Sequence, residues 1–295
     1  MATSTSDRKS FFKSIRGKEN EEKSEMTFFD HIEDLRWHLI RSLLAFGILA
    51  SLVFIYRDWV FDNIITAPTR EDFISYRMLC KLGSFLHIGD TLCMNPVNIN
   101  FQINTVNGTF SSAMSLAIVG GLIAAFPYIL WELWKFIKPA LSAKEIKYAR
   151  GSIFWVSFFF FCGAAFGYYL LAPFTYNFLA NFSLGKFATI KYIPSITDYI
   201  DSLTNIMLGC GLAFELPVLS YVLAKLGIIS GVFLRKYARL AFIIILIISA
   251  IITPSPDWTS MLIVAAPLTL LYWISVLLAT KVDKENAEKE AKEWS

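Results

Sequence analysis

Residues 153–174 read IFWVSFFFFCGAAFGYYLLAPF, a stretch that carries no charged side chain. A helix rises about 1.5 Å per residue, so roughly 20 apolar residues cross the 30 Å hydrocarbon core of a bilayer. The whole chain suits that setting, because 55% of its 295 residues are hydrophobic and only 17% are charged. The sequence therefore predicts an all-α integral membrane protein.

Five further stretches share this low charge and are bounded by charged or turn residues. Together with the first they predict six transmembrane helices, called span one to span six, at about residues 37–56, 113–134, 153–174, 203–226, 237–253 and 258–279. Span five is short, since its strictly apolar part runs only from Leu240 to Ile252. Its length leaves a re-entrant pair of spans five and six as an alternative to two full crossings.

The charged residues lie mainly outside the spans. Residues 1–26 predict a disordered tail, residues 27–279 the membrane domain, and residues 280–295 a short exposed helix. Lys and Arg number twenty before span one, after span six and in the loops at 135–150 and 225–239, against six in the other loops. The positive-inside rule then predicts that both termini are cytoplasmic.

Glu215 is an ionisable residue near the middle of a predicted span. It lies in Gly209-Cys-Gly-Leu-Ala-Phe-Glu-Leu-Pro217 of span four, where an ionised carboxylate is costly unless it is paired or hydrated. Pro217 lacks a backbone donor, so we expect a bend beside the carboxylate. Glu215 is then either a polar contact for a partner helix, a proton carrier, or a protonated acid hydrogen-bonded within the bundle.

One acidic cluster precedes span one. The capping-box spacing of Thr27 and Asp30 predicts the start of a helix that carries Asp34 and Arg36 toward the membrane. Helical periodicity places Asp34 on the same face as His38. A carboxylate there could bind a guanidinium group or serve only as a solvated anchor.

A second cluster follows span two. Pro127 is expected to kink the span, Phe136 and Pro139 lie where the chain leaves it, and Glu145 begins a polar helical stretch. Acidic residues beside aromatic rings suit the arginine side chain, which binds carboxylates through two hydrogen bonds and stacks on rings. The two border clusters together predict a half-buried anionic site.

The four cysteines suggest structural roles. Cys80 and Cys93 lie in the long loop after span one, where an oxidising compartment would allow a disulfide between them. Cys162 and Cys210 lie within spans and are expected to be small packing residues. We predict no metal, no cofactor and no nucleic-acid partner.

Four motifs, in order along the chain, resemble one family. His31-Ile-Glu-Asp-Leu-Arg36 resembles the amino-terminal His-Leu-x-Glu-Leu-Arg signature of the TatC family, whose members are core receptors of the twin-arginine protein translocase. Residues 136–145, FIKPALSAKE, resemble the first cytoplasmic loop of that family. Phe214-Glu-Leu-Pro217 and residues 253–257 look like two further signatures, and the resemblance covers about residues 27–279.

The resemblance implies a concave, glove-like bundle of six helices in the inner (cytoplasmic) membrane. It implies a non-enzymatic receptor that binds twin-arginine signal peptides of folded cargo, recruits single-span TatA- and TatB-type subunits, self-associates and uses the protonmotive force. By this resemblance, Asp34 and Glu145 are the carboxylates for the arginines, and Arg36, Phe136 and Pro139 lie around them. Glu215 is the intramembrane contact for partner helices. Three further positions match the family pattern: Pro68, Pro127 and Asp257.

Three positions depart from the family pattern. Asp34 stands where the longer Glu is usual, His38 lies near a position that is often basic, and Glu132 replaces a common neutral amide. We expect Glu132 to add negative charge to the site. The loop at 57–110 is also longer than the family pattern explains.

Two other functions compete with the receptor. A proton-coupled solute transporter could use Glu215 as its carrier, but no inverted repeat is visible. An intramembrane enzyme is disfavoured, because the chain has neither a Gly-x-Ser-x-Gly elbow nor a His-Glu-x-x-His pair.

Overall fold

A computed structural model describes residues 28–70, 72–85, 100–138, 152–181, 193–225, 227–253 and 258–293. These residues are almost entirely helical. The α-helices are α1 Phe28–Ile55, α2 Arg57–Val60, α3 Ile74–Phe85, α4 Gly108–Ile137, α5 Ser152–Phe166, α6 Ala172–Asn181, α7 Ile196–Ala213, α8 Leu216–Lys225, α9 Gly231–Lys236, α10 Ala238–Ile252 and α11 Trp258–Glu293.

Five helical stretches in the described chain are long and apolar enough to cross a bilayer. They are Ile32–Ile55, Gly108–Ile137, Ile153–Asn181, Ile196–Lys225 and Val264–Glu285, which correspond to spans one to four and six. Span five is the shorter apolar helix Ala238–Ile252, close to the bounds that its apolar run predicted. All six predicted spans are helical, and the protein crosses the membrane several times.

Spans three and four are longer than predicted, and both pack against the segment that follows span one. Span three reaches Asn181 through a π-helical turn at Gly167–Leu171, and span four begins at Ile196. Both contribute buried tyrosines to the cap formed with that segment. Their hydroxyls donate to backbone carbonyls, from Tyr168 to Ile64 at 2.6 Å and from Tyr199 to Ile65 at 2.7 Å.

Pro68 lies inside this cap. It is buried within the short 3₁₀ turn Ala67–Thr69, and its carbonyl accepts a hydrogen bond from Tyr76 of α3 at 2.9 Å. Burial raises the pKa of the Tyr76 hydroxyl, because a phenolate would lose its hydration there. The family-matched proline is thus a structural part of this cap.

Helix α3 also carries Cys80, which is disulfide-bonded. Cys162 and Cys210 are free thiols, and Cys210 is buried in span four. Cys93 lies outside the described residues, so the Cys80–Cys93 pairing stays a prediction.

Small residues let the spans approach closely. A methyl group added to Gly121 of span two would lie 2.5 Å from the Cα atom of Ala50 in span one. One added to Gly163 of span three would lie 2.5 Å from the carbonyl oxygen of Cys210 in span four. Close backbone contact of this kind is how helices associate in lipid, where the hydrophobic effect gives little drive.

The last helix is longer than span six requires. Helix α11 runs without interruption to Glu293, so the predicted short helix of the C-terminal tail is a continuation of the span. Two contacts fasten it to the end of span four and to the start of α9. Lys225 forms an ion pair with Glu285 at 2.7 Å, and the Asp283 carboxylate accepts from the backbone N–H of Gly231 at 2.7 Å.

Candidate functional site at the end of spans one and two

Glu132 is the centre of a charged cluster at the end of span two. Its side chain is only 1% exposed, yet both carboxylate oxygens have partners. Nδ1 of His38 in span one lies 2.6 Å from Oε2, and Nζ of Lys135 lies 2.8 Å from Oε1. His38 and Glu132 are 94 residues apart in sequence, so this ion pair connects span one to span two.

Aromatic rings surround this cluster. The Phe136 ring lies edge-on to the His38 imidazole, with 6.4 Å between centroids. The Lys135 ammonium lies 4.3 Å from the centroid of the Trp131 ring, within the range of a cation–π interaction. Phe136, predicted to shape the site, is therefore adjacent to span one.

Asp34 and Arg36 lie on exposed turns of α1 near His38. Both side chains are exposed, and the Arg36 guanidinium is 5.7 Å from the centroid of the Trp37 ring. Within the described segments, Asp34 has no ion-pair partner. Asp34 thus differs from Glu132, whose two carboxylate oxygens are bound by His38 and Lys135.

Only some of the remaining predicted residues lie in the part of the chain that the structure describes. Pro139, Glu145 and Asp257 lie outside the described residues. Pro127 lies inside α4, which continues through it to Ile137. The structure thus brings Phe136 beside the helix that carries Asp34 and Arg36.

Two of the departures from the family pattern explain each other. His38 and Glu132 each look unusual alone, but they face one another as a hydrogen-bonded pair. Glu132 was expected to add negative charge to the site, and the structure places that charge in ion pairs with His38 and Lys135. The sequence did show that one departure introduces a base and the other an acid. Only the fold shows that the two side chains are in contact.

Glu215 lies at a break in span four. Helix α7 ends at Ala213 and α8 begins at Leu216, so Phe214 and Glu215 form a turn between them, as Pro217 led us to expect. Both carboxylate oxygens are buried and have no hydrogen-bond partner among the described residues. The backbone of Phe160 in span three faces the carboxylate without a hydrogen bond of acceptable geometry.

Close packing brings span three to this break. Phe160 is fully buried, and a methyl group on Gly211 would lie 2.7 Å from its ring. The packing beside Glu215 is therefore tight, and no described side chain supplies its carboxylate with a hydrogen bond. No cluster of three or more metal-ligating side chains occurs in the part of the chain that the structure describes.

Comparison with known proteins identifies the family. The sequence profile described as TatC, Sec-independent protein translocase protein, matches residues 30–267. The chain belongs to the TatC family. The resemblance predicted from the four motifs is confirmed.

Individual relatives extend over nearly the whole chain. The TatC protein of Blattabacterium sp. subsp. Periplaneta americana (strain BPLAN) is 39% identical over 265 residues, which cover 90% of this chain and 98% of the relative. That of Carboxydothermus hydrogenoformans is 33% identical over 273 residues, covering 92% of this chain and 100% of the relative. Both are called Sec-independent protein translocase protein TatC.

A solved structure agrees with the fold. The crystal structure of a twin arginine translocase receptor, TatC, has a TM-score of 0.66 at 27% identity and covers 86% of this chain and 99% of that one. The predicted all-α, six-helix class is confirmed, and the glove-like arrangement fits the TatC structures. This TatC chain is a core subunit of the twin-arginine translocase, and the transporter alternative finds no support among its relatives.

Proposed function

We propose that this chain is the receptor subunit that binds twin-arginine signal peptides of folded proteins. The supporting observation is an exposed Asp34 that has no ion-pair partner among the described residues, one helical turn from His38, which together with Lys135 binds the buried carboxylate of Glu132. A family match over residues 30–267 gives the translocase setting. In this proposal the receptor is non-enzymatic, needs no cofactor, and does not bind nucleic acid.

Recognition rests on carboxylate–guanidinium chemistry. Asp34 and Glu145 accept hydrogen bonds from the two arginines, and partial dehydration at the membrane border strengthens these charge-assisted bonds. Arg36, Phe136 and Pro139 shape the site around the peptide. The buried ion pair of Glu132 keeps spans one and two in register, so that Asp34 is presented on a fixed helix.

Glu215 is proposed as the contact for TatA- and TatB-type single-span subunits. Its carboxylate, which has no hydrogen-bond partner among the described residues, supplies an acceptor in a low-dielectric region, where a polar group on a partner helix would satisfy it. Receptor copies associate with one another in the assembled complex, and the protonmotive force drives transport. Pro68, Pro127 and Asp257 support the scaffold rather than the ligand.

The proposed location is the inner (cytoplasmic) membrane with both termini in the cytoplasm. The excess of Lys and Arg at one end of the spans supports this orientation. It also places the Glu132 cluster on the side from which a newly made signal peptide arrives.

Photocrosslinking tests signal recognition. A photoreactive residue at position 33 should crosslink to a twin-arginine peptide, and Asp34→Lys or Glu145→Lys should lower that crosslinking about tenfold or more by placing like charges opposite the arginines. Asp58→Lys makes the same change at an exposed acid near the far end of span one and should leave crosslinking unchanged.

A second peptide provides the chemical control. Replacing the arginine pair by two lysines should weaken crosslinking, because an ammonium cannot form the bidentate bond of a guanidinium. Equal crosslinking of the two peptides, or an equal loss with Asp58→Lys, would refute carboxylate recognition at Asp34.

A further inference from the structure

Helix α3 carries a stripe of exposed side chains that signal recognition does not use. Ile74 and Met78 are one turn apart, and each is 59% exposed. Arg77 and Lys81 are also one turn apart, and both are exposed on the adjoining part of the helix surface. The helix therefore presents an apolar edge beside a basic edge, which is typical of helices that lie in a membrane interface.

The other side of α3 packs against the cap. Phe73, directly before the helix, and Tyr76 within it are both buried. The Tyr76 hydroxyl donates to the carbonyl of Pro68 at 2.9 Å, and the Phe73 ring is stacked on Tyr169 of span three with 5.6 Å between centroids. These contacts orient α3 on the bundle, so that its exposed stripe faces away from the protein.

Tyr169 locates the start of α3 relative to the bilayer. Span three follows span two and thus begins at the end of the bundle where Glu132 lies. From Ile153 to Tyr169 its helix is about 24 Å long, and the hydrocarbon core is about 30 Å thick. Tyr169 is 45% exposed, so the surface that Phe73 covers in part is one that meets lipid. Helix α3 consequently starts close to the border between hydrocarbon and headgroups, on the membrane side opposite Glu132.

The basic edge of α3 suits that border. Neither Arg77 nor Lys81 forms an ion pair with a carboxylate of the described residues. Arg70, by contrast, donates to the carbonyl of Asp62 within the cap. Lipid phosphates lie just outside the hydrocarbon, and long basic side chains reach them while their stems stay against apolar surface. The two cations of the stripe are therefore complementary to anionic headgroups.

We propose that α3 is an interfacial helix that binds anionic phospholipids, with Ile74 and Met78 among the acyl chains and Arg77 and Lys81 at the phosphates. A second copy of the chain fits less well, because a two-fold contact through this stripe would bring the same cations together. Lipid binding gives a role to part of the long loop after span one, namely to hold the cap at the membrane border. It does not depend on signal recognition or on Glu215.

Photocrosslinking of the full-length chain in nanodiscs tests where the stripe lies. We place p-benzoylphenylalanine at position 78 and detect lipid adducts by mass spectrometry. Position 106 is the matched control, since Val106 is an exposed apolar residue that precedes span two, whose helix α4 is about 45 Å long and extends beyond the hydrocarbon. Lipid adducts should be about fivefold or more frequent at position 78, because only that side chain reaches acyl chains.

Lipid composition tests the basic edge. Adding phosphatidylglycerol to phosphatidylcholine nanodiscs should raise the adducts at position 78, and Arg77→Gln with Lys81→Gln should lower that rise about threefold or more. Lys281→Gln with Lys284→Gln removes two exposed cations from α11 and should leave the rise unchanged.

Three results would overturn the proposal. They are equal lipid adducts at positions 78 and 106, adducts at position 78 with a second protein chain in place of lipid, and an equal effect of the two double variants. The comparison of positions 78 and 106 uses chains that keep Arg77 and Lys81, so it remains decisive if the α3 double variant does not fold.

Discussion

Two carboxylates with buried oxygens in this protein differ in whether the fold supplies them with hydrogen-bond partners. Glu132, at the end of span two, is 1% exposed and bound by His38 and Lys135 at 2.6 and 2.8 Å. Glu215, at the break in span four, has two buried oxygens with no hydrogen-bond partner in the described chain. Membrane burial alone therefore does not show what an acidic residue does.

The difference lies in where compensation comes from. A carboxylate that forms ion pairs with cations of the same fold stabilises that fold, because its removal leaves those cations without a partner. A carboxylate that finds none carries an unmet hydrogen-bonding demand, which a partner can satisfy on binding. Substitutions at the two sites should consequently change stability in opposite directions.

The largest effect is expected for Glu132→Ala. Breaking a buried ion pair by deleting one member costs about 3–5 kcal/mol, because the remaining charges lose their partner. Thermal or denaturant unfolding in detergent measures the change. Glu33→Ala removes an exposed acid at the same end of the bundle and should cost less than about 0.5 kcal/mol, so similar losses would contradict the internal role of Glu132.

Glu215→Met should have the opposite sign. Replacing an unsatisfied buried carboxylate by an apolar side chain removes its desolvation cost, so stability should be unchanged or raised by about 1–3 kcal/mol. Co-purification of TatA- or TatB-type subunits should fall at the same time. Leu212→Met, at an exposed site on the same span, should alter neither quantity.

A marked loss of stability in Glu215→Met would mean that Glu215 has a partner within the fold. Unchanged co-purification would remove it from the proposed partner contact. The two readouts therefore test its structural and functional roles separately.

A double-mutant cycle measures the link between spans one and two. His38→Gln and Glu132→Gln should each destabilise the protein, and the double variant should cost less than their sum by about 1 kcal/mol or more. Coupling of that size is expected for residues in direct contact. Additive losses would show that the 2.6 Å contact contributes nothing of its own.

The smallest effect is expected for Lys225→Gln. Its partner Glu285 is 42% exposed, so solvent screens the ion pair and its loss should cost no more than about 1 kcal/mol. The difference from the native protein should shrink as salt is raised. A loss as large as that of Glu132→Ala would show that exposure is not what separates the two pairs.

Much of the fold was predictable because bilayer thickness constrains the sequence directly. The apolar run Leu240–Ile252 predicted a short span five, and α10 covers Ala238–Ile252. The extension of span four back to Ile196 was not predicted, since this end is held by tyrosine-to-carbonyl contacts that link distant segments. Hydropathy is a local property and does not report such contacts.

The site was predictable only in part for the same reason. The motif around Asp34 and Arg36 was readable because its residues are consecutive. The pairing of His38 with Glu132 spans 94 residues, so the sequence showed two isolated departures where the fold has one contact. The break at Glu215 was anticipated because Pro217 acts on the backbone next to it.

Helix α11 has 36 residues and is about 54 Å long, well beyond the roughly 30 Å of hydrocarbon that span six must cross. The excess first packs through Ala279 and Val282 on the end of span four and on α9, where Asp283 and Glu285 also tie it. Its last turns, up to Glu293, extend beyond these contacts, so any tilt of the span becomes a larger movement at the polar end of the helix. A spectroscopic probe near Lys284 would thus read motions of the bilayer-embedded bundle from the aqueous side.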